Sequence, residues 1–118
     1  MKKLIIDRKT WFRGKGATDS YLLNMDGMKC CLGFYSLSCG HTKKSIELKA
    51  APSDIYDDGR VIKKGMRELL THDCTYHYDN PLCYQLMETN DKKMSEKTRE
   101  TKISKLFKEI NVNVKFIN

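Results

Sequence analysis

The 118-residue chain is short of the features that usually declare a function. No apolar run approaches the roughly 20 residues needed to span a bilayer, so no transmembrane helix is expected. Met1-Lys2-Lys3 leads into only Leu4, Ile5 and Ile6 before Asp7, too short for the apolar region of a secretion signal, and a cytoplasmic protein is the expectation. There is no phosphate-cradling glycine loop, no Gly-x-Ser-x-Gly elbow and no Cys-x-x-Cys redox motif. Glu47, Asp54, Asp57, Asp58 and Asp73 lack the ordered oxygen-ligand pattern of a calcium loop and read as solvated carboxylates. Repeats, linkers and low-complexity segments are missing too. With no catalytic constellation and no cofactor motif, neither enzymatic turnover nor a cofactor is expected.

What is present is a globular balance, 40% hydrophobic and 31% charged residues, in a length suited to one domain over 1–118. The net charge of +7 is laid out unevenly. Residues 1–15 carry six Lys/Arg against Asp7, and residues 92–108 carry seven against Glu96 and Glu100. Residues 16–91 carry eight against eleven Asp/Glu. If the two basic ends meet in the fold, they form a basic face able to attract nucleic acid or an acidic protein; the plainer alternative is a solvated lysine-rich surface.

Five cysteines is an odd number, and with no secretion signal they read as reduced thiols. Cys30 to Gly40 is the longest nearly charge-free run and reads as a short buried helix. Gly33 lets a neighbouring backbone approach, and Gly40 suits the left-handed position past the helix end. Cys30 or Cys31 as a nucleophile would need a base, and no histidine lies near them in sequence. His72, Cys74, His77 and Cys83 hold the atoms of a four-coordinate zinc site, but four ligands crowded into twelve residues is not a standard spacing; no bound metal is expected.

Alternation of Leu4 and Ile6, and of Val112, Val114 and Phe116, predicts terminal strands sharing a sheet. Asp26-Gly27 between Tyr21–Met25 and Met28-Lys29 predicts a hairpin. A short strand is expected at 45–49, and helices at 30–39, 61–72, from Asn80-Pro81 to about Glu88, and at 95–110 with Ser95 as its N-cap. The expected class is α+β: a small single domain with a mostly antiparallel sheet of terminal strands and a hairpin, packed by two to four helices. Trp11 is expected in the core, with a recognition surface beside Arg13 as the alternative.

Four pieces, Trp11-x-Arg13-Gly14, Cys30-Cys31-Leu32-Gly33, Asn90-Asp91, and a closing helix followed by Val112-x-Val114-x-Phe116, together resemble a family of short, mostly uncharacterised bacteriophage-encoded proteins. In that family the cysteine pair follows a Met directly and Asn-Asp forms a turn; here Met28-Lys29 precedes the cysteines, and residues 57–83 depart most from the pattern. The resemblance implies a phage accessory protein working in the host cytoplasm and supplies no catalytic residues. Two functional expectations follow. One is stoichiometric binding to a host protein or complex, for example as an inhibitor of a bacterial defence system such as CRISPR. The alternative is nucleic-acid binding through a basic C-terminal helix bearing Lys92, Lys93, Lys97, Arg99, Lys102, Lys105 and Lys108, with Arg13 as a further contact.

Overall fold

Leu4 and Ile6 are buried and alternate with exposed Lys3 and Ile5, so β1 (Lys2–Asp7) presents one face to the core and one to solvent. In this computed structural model, which describes residues 1–75 and 80–118, β1 pairs with β2 (Val112–Ile117) in register Leu4 to Val114 and Ile6 to Phe116. Between them run five helices: α1 (Cys31–Ser38), α2 (Lys43–Ile46), α3 (Lys64–Thr71), α4 (Leu82–Asp91) and α5 (Glu96–Lys108), with a 3-10 turn at Pro52–Tyr56.

The terminal strands share a sheet, but the strands run parallel and are the only two in it among the described residues, which corrects the expected antiparallel sheet. Alternation reports that one face is covered and is silent on strand direction. The direction follows from a helical crossover of more than a hundred residues, a connection that returns the chain to the same end of the sheet. Asp26-Gly27 does make a tight turn, with Gly27 at φ 79° and Asn24 exchanging bonds with Gly27 and Met28. It is not a hairpin: Asn24 Oδ1 accepts from the Asp26 and Met28 amides, and Lys29 bridges to Trp11 rather than across the turn. The strand expected at 45–49 is also corrected, since Thr42 caps Ser45 and starts α2.

α1 lies at the centre. Its end is a Schellman motif, in which the Gly40 amide donates to Leu37 O and the His41 amide to Ser36 O, with Gly40 at φ 103°. A β-carbon on Gly33 would sit 1.9 Å from the Leu22 carbonyl oxygen, so only glycine admits the 21–23 segment there. α1 and α5 cover the sheet, and Tyr35 meets Phe107 between them with ring centroids 5.4 Å apart. Ser95 caps α5 as expected, accepting from the Thr98 amide.

Candidate functional site

The four stretches Trp11-x-Arg13-Gly14, Cys30–Gly33, Asn90-Asp91 and Val112–Phe116 are far apart in sequence, and the fold brings the first two onto Asn90 of the third. Asn90 is fully buried at the end of α4. Its Oδ1 accepts from Trp11 Nε1 at 2.7 Å and from the Cys31 amide at 3.0 Å, the latter capping the N-terminus of α1 from another helix. Its Nδ2 donates to Phe12 O at 3.0 Å, and its carbonyl accepts from the Gly14 amide at 2.9 Å. Asn90-Asp91 therefore closes a helix instead of making a turn. Trp11 is 1% exposed and stacks on Phe116, so it is the core residue expected and not a recognition surface.

Arg99 is the cation of this node. Assigned to a phosphate-binding face from sequence, it is 2% exposed, and its guanidinium donates to the carbonyls of Thr89, Asn90, Lys92 and Met94. A cation on the last carbonyls of α4 completes that helix and complements its dipole. Gly14, at φ 73°, lies directly over it, with a hypothetical β-carbon 2.8 Å from Nη2. Arg13 is likewise engaged: Nε donates to Glu96 at 2.6 Å, Nη1 to Trp11 O at 2.8 Å, and the guanidinium covers the Trp11 ring. Arg8 holds Glu100 through two bonds of 2.9 and 2.7 Å. The basic ends do meet, but these two ion pairs take up Arg8 and Arg13 where they touch; burial alone would raise the Glu96 carboxyl, and its hydrogen bonds from Arg13 and Arg99 outweigh that and hold it below its ordinary range. Arg99 and Arg13 therefore drop out of the candidate surface.

The lysines remain. Lys92, Lys93, Lys97, Lys102, Lys105 and Lys108 are all exposed, and at 3.6 residues per turn the four on α5 fall along one arc opposite buried Ile103 and Phe107. Only Lys92 has an ion pair among the described residues, with Glu88 at 2.9 Å. Three of them, Lys92, Lys102 and Lys105, rim a groove of about 350 Å³ between α4 and α5, whose walls include Leu106, Met94, Gln85 and Thr89. The sequence pointed to the lysines; Gln85 and Thr89 it did not single out, because their role depends on α4 facing α5.

Among the described residues, which leave out His77, no group of three or more potential ligands is placed to hold an ion. His72 Nε2 lies 3.1 Å from Glu109 Oε1, and Cys74 Sγ is 3.7 Å from Glu109 Oε2, so both are tied to the end of α5. Cys83 is on α4, mostly buried, and His77 lies outside the described residues. Burial raises the Cys30 thiol to about 11 and the Cys83 thiol to about 12, and holds Cys31 well above its ordinary value, the reverse of what a nucleophilic thiolate requires. No helix among the described residues is long and apolar enough to cross a membrane. Comparison with protein-family models, curated proteins and solved structures gives no match to this chain.

Proposed function

We propose that the protein is a small phage accessory protein that acts without turnover, by stoichiometric binding to a host protein or complex, with inhibition of a bacterial defence system such as CRISPR as its specific form. The observation that carries this reading is the division of labour among the cations. Arg8, Arg13 and Arg99, the arginines of the two basic segments, whose planar guanidinium groups would best match phosphates, are engaged within the fold, and Lys92, Lys102 and Lys105 stand beside Glu88 on the groove rim. Tyr84, 54% exposed one turn before Glu88 on α4, is an aromatic of the kind enriched at protein interfaces. A protein partner tolerates this mixture of signs; a phosphate backbone does not. The phage origin rests on the resemblance of the sequence pattern.

The test pairs capture with titration. Tagged protein is passed over lysate of a phage-susceptible bacterium, the bound material is identified by mass spectrometry, and stoichiometry is read from native mass. The expected result is a host protein held one-to-one and lost on Lys97→Glu/Lys102→Glu/Lys105→Glu, substitutions at exposed positions that spare the fold. Duplex and single-stranded DNA and RNA are titrated in parallel at near-physiological salt. Submicromolar nucleic-acid affinity that falls by roughly one logarithmic unit per neutralised phosphate for each tenfold rise in salt would replace this reading with the nucleic-acid one.

A further inference from the structure

Gln85 and Thr89 stand about one turn apart on α4 and face the groove beneath Lys102 and Lys105. Each is more than nine-tenths buried, yet among the described residues neither the Gln85 amide nor the Thr89 hydroxyl has a hydrogen-bond partner. No side-chain polar atom there is both sealed and unsatisfied, so the free atoms of these residues open onto the groove that they line. A glutamine amide open to the wall of a concavity, with apolar surface from Leu106 and Met94 and lysines on its rim, has the composition of a binding site.

We propose that the α4–α5 groove binds a short acidic, amphipathic peptide segment of the partner protein. This rests on the protein-binding reading above and names the chemistry of what is bound. A primary amide is the complement of a peptide group, donating through Nε2 and accepting through Oε1. Thr89 adds a second donor and acceptor. An apolar side chain of the segment packs on Leu106 and Met94, and carboxylates flanking it meet Lys102 and Lys105, which have no ion pair among the described residues. A phosphate group offers acceptors alone, would leave Gln85 Oε1 unsatisfied, and would meet Glu88 on the same rim. The groove volume of about 350 Å³ holds a few side chains and not a folded element.

The experiment pans a displayed library of random short peptides against the full chain, then measures binding of the recovered peptides in solution. ¹⁵N spectra follow the Gln85 side-chain amide, assigned by its disappearance in Gln85→Leu. The expected outcome is enrichment of Asp or Glu around one large apolar residue, a shift of the Gln85 amide on binding, and affinity at least about tenfold weaker for Lys102→Glu/Lys105→Glu and for Gln85→Leu. Gln85→Leu replaces an amide that opens onto the groove by an apolar group of similar size, so its melting temperature, measured alongside, separates lost recognition from lost folding. Recovery of no peptide, recovery without acidic enrichment, or affinity unmoved by these variants would overturn the proposal. So would sodium phosphate or a single-stranded oligonucleotide shifting the Gln85 amide as strongly. A host protein that still co-purifies one-to-one with Lys102→Glu/Lys105→Glu would remove the groove but leave protein binding standing, whereas the absence of any host partner for the wild-type chain would strike the broader reading alone.

Discussion

Asn90 shows how much a single side chain can hold. Its carboxamide satisfies Trp11 Nε1, the first amide of α1 and the Phe12 carbonyl, three groups from two segments more than fifty residues away in sequence. Asn90→Ala would leave buried donors unpaired, and a loss of about 3 kcal/mol is expected from denaturant titration, more than for removal of any exposed lysine. Gly33→Ala is expected to cost at least about 3 kcal/mol or prevent folding, since its β-carbon would overlap the Leu22 carbonyl. A melting temperature equal to wild type for either variant would contradict the geometry. The thiols give a pH dependence of defined sign. Cys30 and Cys83 have folded values of about 11 and 12, above the ordinary 9.0, so their burial stabilises the fold fully below pH 9 and loses that contribution as pH rises through the folded values. Urea midpoints across pH 7 to 11 should therefore stay level and then fall on the alkaline side; a rise above pH 9 would refute the assignment.

The elements differ in how they are ended. α1 is closed by Gly40 within its own chain segment but started by Asn90 from α4, while α4 is finished by Arg99 from α5. α5 carries its own cap, and Ser95→Ala is expected to cost about 1 kcal/mol, read as a lower denaturation midpoint with unchanged slope. The periodicities of α4 and α5 are visible in sequence because each buries a stripe, and α1 is visible because its run is nearly free of charge. The 45–49 segment reads as a strand because Ile46 and Leu48 alternate with charges; in the fold Ile46 is fully buried and Leu48 is exposed at φ 55°, so a one-turn helix and a left-handed residue produce the same pattern as a short strand.

At the scale of the molecule, one contiguous core runs from Leu4 to Val112 and includes residues of every helix. A single cooperative unfolding transition is expected, with fluorescence of Trp11, the lone tryptophan, and far-UV circular dichroism changing together. Separate transitions by the two probes would show a second, independent unit. The charge layout takes its final form only at this scale. Both basic segments converge, yet their contact is made by Arg8–Glu100 and Arg13–Glu96, so what solvent meets on α5 is a lysine arc.

The amino-acid order by itself determined the terminal strands and the helices α1, α3, α4 and α5, the need for glycine at Gly33 and Gly40, that Trp11 is interior, and that the terminal strands belong together. These depend on local spacing and on the burial tendencies of single residues. Strand direction, the burial of Arg99, the partners of Arg13 and the pairing of Asn90 with Trp11 and Cys31 were decided by tertiary structure. A period of two carries no strand polarity. An arginine among lysines on one helix reads as one more surface cation until a neighbouring helix end supplies four carbonyls. The groove belongs to the same class: its lysines are legible in the sequence, but Gln85 and Thr89 become recognition groups only because α5 packs over α4 and leaves their polar atoms unpaired there.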